Sequence, residues 1–337
     1  MAGATASSII KMLCGIPQGT VLGPLLFIIF INDLPNATEL FTLLFADDTT
    51  FQLEGDDVRK LIIRANAELL KAQEWFMSNK LTLNAKKTKL LLFSPKDLKP
   101  RTLSPNLVLG GTNIERIGLD EKEKSVRFLG VWVDDELSFT SHLTQLRIKL
   151  SYGIHALHTS KFNTTLEIRK TIYYSLFACH LGFGSIMYGA ARENSLSEIF
   201  TLQKRAVRLV SGSHYIAHTD PIFQRLGILK LTDMINLDRQ VFVHKFRQGK
   251  LPLAFKKNFL IPVHPTDHSR SKDPLCYSLP INHTRSPYTT LVKAWNLVPF
   301  EAKMMTGLEE FKVFLTSRAL ASYNSICVAV NCRSCLQ

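Results

Sequence analysis

Residues 41–53 read FTLLFADDTTFQL, two apolar runs on either side of Ala46-Asp47-Asp48. Runs of this kind broken by a short polar centre predict a tight β-hairpin with two adjacent carboxylates at its tip. Asn-Gly or Asp-Gly would make the reversal more cheaply, because the second residue then takes positive φ without a side-chain clash. Two like charges repel unless a cation lies between them. A divalent metal such as Mg²⁺ fits, since it accepts carboxylate oxygens and keeps water or phosphate as its other ligands. A solvated Asp-Asp turn is the plainer alternative.

Composition bounds the rest. A chain of 337 residues with 46% hydrophobic side chains can bury a core and is long enough for two units. It carries 41 Lys plus Arg against 28 Asp plus Glu, a net charge of +13, which points to a polyanionic partner. Residues 1–136 hold 16 basic and 17 acidic side chains, whereas residues 137–337 hold 25 and 11, so the excess lies in the second part. The six cysteines form no secreted framework, and the first residues, MAGATASSIIKMLC, lack a long apolar run. Nucleus or cytoplasm is therefore expected, not secretion. Thr171 to Ala191 has no Asp, Glu, Lys or Arg, but Tyr173, Tyr174, Ser175, His180, Gly182, Gly184 and Ser185 dilute it. It reads as a buried helical segment, and no membrane partner is expected.

In chain order, Gly15-Ile16-Pro17-Gln18-Gly19 is a turn-rich loop, and Thr20 is placed to cap a helix from about Val21 to Asp33. That helix is expected to bury Leu22, Leu25, Leu26, Ile29 and Phe30. Asp56 or Asp57 should cap a second helix, with Val58, Leu61, Ile62, Ala65, Leu69, Ala72 and Phe76 at helical spacing, covering one face of a sheet. Asn84–Lys87 reads as a turn and Lys89–Phe93 as a strand. A glycine-turn hairpin follows at 107–117, and Val126–Val133 reads as another strand.

Beyond Asp134 the apolar period changes from two to nearly four. Leu143, Leu146, Leu150, Ile154 and Leu157 mark one helix, Ile168–Phe177 a second, and Leu196–Val210 a third ending at Gly212. Residues 251–290 carry six prolines, Pro252, Pro262, Pro265, Pro274, Pro280 and Pro287, and read as an irregular connector. Two helices follow, Tyr288–Lys303 and Gly307–Ser322, anchored by Trp295 and Phe311. Cys332 and Cys335 have the C-x-x-C spacing of zinc knuckles. With Cys327 they lack a near fourth ligand; His264, His268 and His283 are distant candidates, and free thiols are the alternative.

The run Gly15 to Phe27, GIPQGTVLGPLLF, the paired acids, Asn84-Ala85-Lys86-Lys87-Thr88 and Phe128-Leu129-Gly130-Val131 occur in an order that resembles the palm of reverse transcriptases from non-LTR retrotransposons, particularly the jockey-like branch. Leu202–Arg208 and Ala294–Pro299 are similar to the region after that palm. The resemblance implies an α+β fold: a partial polymerase palm, an antiparallel sheet with packed helices, over 1–136; a mostly helical thumb over 137–250; the connector over 251–290; and C-terminal helices with a Cys-containing tail over 291–337. It implies RNA-directed DNA polymerisation, with an RNA template, a DNA primer and dNTP as partners and Mg²⁺ or Mn²⁺ as cofactor.

Residue by residue, the resemblance makes Asp47 and Asp48 metal ligands. Pro17, Gln18 and Gly19 would lie beside template or incoming nucleotide, and Lys87 near the triphosphate, where a cation steadies charge on the leaving group. Phe128, Leu129 and Gly130 would form the primer grip. Lys204, Arg205 and Arg208 would face nucleic acid, Lys204 and Arg208 sharing one helix face. For Lys87 and for the three basic residues, a solvated surface is the alternative. Two-metal transfer holds its ions about 4 Å apart and normally uses three carboxylates. In the family the third lies upstream of the Pro-Gln-Gly loop, and Asp33 is misplaced to substitute. The expectation is a fragment of a mobile-element polymerase, inactive alone and completed by an upstream polymerase and endonuclease part. The alternative is a non-catalytic nucleic-acid-binding remnant with a basic helical domain.

Overall fold

The computed structural model describes residues 19–94, 100, 102, 104–118, 124–252, 255, 277 and 287–323. Pro17, Gln18, the three C-terminal cysteines, the three histidines named with them and most of 251–290 lie outside these. The chain divides into two compact units, 1–121 and 122–337. The first carries 13 basic and 13 acidic side chains, the second 28 and 15.

In the first unit, helix α1 (Leu22–Ile31) leads through a 3-10 turn (Leu34–Asn36) to β1 (Phe41–Phe45) and β2 (Asp48–Gln52). These pair antiparallel, Phe41 with Gln52 and Phe45 with Asp48. Helix α2 (Val58–Ser78) starts at Asp57, whose carboxylate accepts from the Arg59 and Lys60 backbone N–H groups. Its buried Ile62, Leu69, Ala72 and Phe76 recur at helical spacing. Leu69 packs with Leu40, Leu107, Leu109 and Ile114, and Phe76 with Ile31 and Leu34. Strand β3 (Lys89–Leu90) is followed by β4 (Val108–Leu109), β5 (Thr112–Asn113) and β6 (Glu115–Arg116). Gly110 and Gly111, at φ +56° and +75°, make the β4–β5 reversal.

Several expectations need correction here. Thr20 does not cap α1, because Val21 is already helical and occupies the N-cap position without a side-chain hydrogen bond. Leu22, Leu25, Leu26, Ile29 and Phe30 are exposed by 44–63%, and Ile31 is the buried residue of the helix. LGPLLFIIFI is apolar all round, so it carries no stripe to say which side faces inward; packing falls to Phe27 and Ile31, one turn apart. Nor do the described strands form one antiparallel sheet. They make four separate pairs, and β3 with β6 is parallel. Parallel pairing needs a long crossover, which the stretch between Leu90 and Glu115 supplies with the β4–β5 hairpin inside it. The strand expected over Lys89–Phe93 pairs only at Lys89 and Leu90.

The second unit opens with a hairpin, β7 (Val126–Phe128) and β8 (Val131–Val133), where a single strand was expected. Leu129 and Gly130 form the turn, both at positive φ, +45° and +90°. A glycine at the second position accepts this cheaply, so the chain reverses there. A Cβ on Gly130 would lie 2.9 Å from the Phe183 ring, so hairpin and ring pack closely.

The remainder is helical: α3 (Thr140–Ser160), α4 (Leu166–Tyr173), a π-helical turn (Tyr174–Ala178), α5 (Cys179–Gly182), α6 (Ser185–Tyr188), α7 (Glu193–Ser211), α8 (Asp220–Leu226), α9 (Leu231–Arg247), α10 (Pro287–Asn296), α11 (Phe300–Lys303) and α12 (Leu308–Ala321). Leu143, Leu146, Leu150, Ile154 and Leu157 of α3 are buried with Ile199, Val207 and Val210 of α7. α7 ends at Gly212, φ +73°. In the first turn of α4, Arg169 donates from Nε to the Val210 carbonyl and from Nη1 to those of Lys161 and Thr164. Trp295 and Phe311 are fully buried in a second cluster, their rings stacked 6.1 Å apart. Leu297 to Pro299 divide the expected Tyr288–Lys303 helix into α10 and α11, since proline cannot continue a helix. Among the described residues no helix is long and apolar enough to cross a membrane.

Candidate active site and nucleic-acid surface

The β1–β2 hairpin delivers the two acids. Asp48 is the first residue of β2, opposite Phe45, so the reversal rests on Ala46 and Asp47. Ala46 sits at φ +51°, a left-handed conformation that costs an L-residue about 1–2 kcal/mol. By the register, Asp48 shares a face with Phe45, Leu43 and Phe41, all exposed, while Leu44 and Phe51 turn toward the α2 core. Both carboxylates are exposed, and among the described residues neither has a protein partner. Two uncommitted hard-oxygen donors fit Mg²⁺, which needs few protein ligands. Among the described residues, however, no three His, Cys, Asp or Glu side chains come together.

The hairpin is held at its base. Glu68 of α2 is buried and accepts from the Glu39 N–H at 2.7 Å and the Thr38 hydroxyl at 3.0 Å, just ahead of β1. Lys71 closes the other oxygen at 2.7 Å. The Lys71 ammonium and then the Glu39 N–H hold the Glu68 carboxyl down at about 2, against the smaller opposing effect of burial. Nothing in the spacing of α2 marks Glu68, since a glutamate on a helix ordinarily faces water.

Lys87 is exposed in the expected turn, its N–H bonded to the Asn84 carbonyl at 3.1 Å. Leu83, just before that turn, packs against the same core as Phe51 of β2. Gly19 is exposed at φ +87°. Phe128, Leu129 and Gly130 fall together at the β7–β8 turn, with Phe128 and Leu129 exposed by 38% and 41%.

The three basic residues of α7 diverge. Lys204 lies 4.5 Å over the Phe200 ring. Arg208 donates from Nε to the Ala217 carbonyl, and partial burial pulls its pKa below the ordinary arginine value. Arg205 alone of the three is exposed. It lines a cleft of about 190 Å³ with Ser151, Ile154, His155 and His158 of α3. The shared Lys204–Arg208 face thus has its Arg208 end fixed to a loop. Ser151, His155 and His158 each directly follow a buried residue, Leu150, Ile154 and Leu157, a pattern that marks the rim of the α3–α7 packing.

The reverse transcriptase (RNA-dependent DNA polymerase) family matches residues 3–133. The RNA-directed DNA polymerase from mobile element jockey of Drosophila melanogaster is 26% identical over 279 residues, 79% of this chain and 29% of that protein. The probable RNA-directed DNA polymerases from transposon X-element and transposon BS, from the same organism, are 24% and 25% identical, covering 82% and 77% of this chain and 29% of each relative. The chain therefore spans less than a third of the length of these curated relatives. No solved structure gives a significant match. A mixed strand-and-helix part followed by a largely helical part is consistent with a palm and a helical domain in general terms. The similarity supports a reverse-transcriptase-like family, of the kind found in non-LTR mobile elements, for this chain.

Proposed function

We propose that the chain is the later palm and thumb part of an RNA-directed DNA polymerase from a mobile element. The observation that carries this reading is the uncommitted Asp47-Asp48 pair at a strained hairpin tip, inside the stretch similar to reverse transcriptases. Asp47 and Asp48 would hold Mg²⁺ or Mn²⁺, and the ion supplies Lewis-acid stabilisation of charge on the reacting phosphate oxygens. Glu68 fixes the hairpin base, so the tip keeps its place. Lys87 would face the triphosphate, Gly19 with Pro17 and Gln18 the template, and Phe128 to Gly130 the primer end. The second unit, with its excess of 13 positive charges, would grip the RNA template and DNA primer.

The pair supplies two of the carboxylates this chemistry uses. Polymerisation therefore needs a third acid beside the pair. The test is primer extension on an RNA template with dNTP and Mg²⁺, using the chain joined to the remaining polymerase segment of a relative. Asp47→Asn or Asp48→Asn should lower the rate at least about a thousandfold, corresponding to some 4 kcal/mol of transition-state stabilisation. Extension unchanged by either substitution would refute the assignment. A second reading, a non-catalytic nucleic-acid binder, is favoured by the lack of a third acid beside the pair among the described residues. It predicts salt-sensitive binding with no extension in the joined protein.

A further inference from the structure

The α3–α7 cleft brings four polar side chains to one place. Ser151, His155 and His158 stand at i, i+4 and i+7 of α3 and so share a stripe, and Arg205 faces them from α7. All four are exposed. α3 contains no Asp or Glu in its 21 residues. An acidic neighbour from α7, Glu198, is already engaged by Arg147 at 2.8 Å. The cleft therefore presents a guanidinium, two imidazoles and a hydroxyl with no carboxylate among its lining residues.

We propose that this cleft binds a phosphate group. Arginine offers a planar fork that matches two phosphate oxygens, and the imidazole N–H groups complete the shell as donors, while Ser151, whose hydroxyl donates to the Arg147 carbonyl at 2.8 Å, forms the polar edge of the cleft. Volume separates this from a whole-nucleotide site: about 190 Å³ lies below the roughly 300–1,000 Å³ of ordinary small-molecule pockets, and suits a single phosphate. Ile154 forms the floor, buried at 5% exposure. The phosphate could belong to a nucleic-acid backbone or be free in solution. Backbone phosphate is the source if the polymerase reading holds, on which that choice rests; the cleft's chemistry does not depend on it.

Two measurements on the full chain separate these sources. The first follows binding of a labelled oligothymidylate across a salt series for wild type, Arg205→Gln and the double variant His155→Gln/His158→Gln. Arg59→Gln removes the same charge from an exposed position of the first unit and serves as control. Both cleft variants should bind about tenfold more weakly, Arg205→Gln should also lower the salt slope by about 0.7 for the one phosphate no longer neutralised, and the control stays near wild type. The second titrates inorganic phosphate against the histidine ring signals, with His155 and His158 assigned by their disappearance in the double variant. Their movement in wild type but not in Arg205→Gln, without oligonucleotide binding, would uphold the cleft with free phosphate as its source and count against the nucleic-acid reading. Oligonucleotide binding equal in all variants, together with unmoved ring signals, would overturn the proposal. Far-ultraviolet circular dichroism of each variant shows that the fold is kept, as exposed substitutions lead one to expect.

Discussion

Glu68 connects a single proton to the hairpin that carries Asp47 and Asp48. Its folded-state pKa, near 2, lies below the ordinary value of 4.5. The stabilisation is therefore fully present above about pH 4.5 and is lost as pH falls through the folded value. Acid titration of the first unit should show loss of structure between about pH 4.5 and 2, and Glu68→Gln should remove most of that dependence while lowering stability at neutral pH. Hydrogen exchange at the Glu39 and Leu40 amides would report it; identical pH profiles for the two proteins would rule it out. The acids at the tip were legible because two adjacent charges make a poor turn. Glu68 was not, because its Thr38 and Glu39 partners lie 30 and 29 residues earlier, and Lys71 one turn on reads only as an ordinary surface pair.

Close approach of elements is clearest at Gly153. A Cβ there would sit 2.7 Å from the Leu176 carbonyl oxygen, inside the π-helical turn that follows α4. Alanine would push α3 away from that turn, and Gly153→Ala should destabilise the second unit by about 1–3 kcal/mol in chemical denaturation. A change under about half that would mean the π-turn yields freely. The long helices of this unit could be placed from sequence because their buried leucines recur through three or four turns. The π-turn could not, since its Leu176 carbonyl meets Gly153 of another helix, a contact no local period announces. α1 failed for the opposite reason, with apolar residues on every side and no period to orient it. The β7–β8 reversal was hidden because Phe128-Leu129-Gly130 reads as an apolar run until glycine's freedom at positive φ is considered.

Charge is partitioned across the chain: the first unit is neutral and the second carries the excess. Binding that depends on phosphate neutralisation should therefore be concentrated in residues 122–337. Photocross-linking to a single-stranded oligonucleotide, followed by peptide mapping, should place most adducts there; an even division between the units would contradict it. Composition alone gave this asymmetry, but not the identity of the exposed cation on α7, which needed the loop that occupies Arg208. Arg169 has a wider role than its hydrogen bonds to three carbonyls suggest. Arg147 meets Glu198 and, further along both helices, His155 and His158 meet Arg205, so α3 and α7 run in the same direction. Their dipoles add, and two negative poles end side by side. The Arg169 guanidinium sits at that shared pole, bonded to Lys161 and Val210 from the two ends at once. One fixed positive charge thus offsets part of the repulsion of this parallel pairing, and lysine, with a single point of charge, could not span both ends.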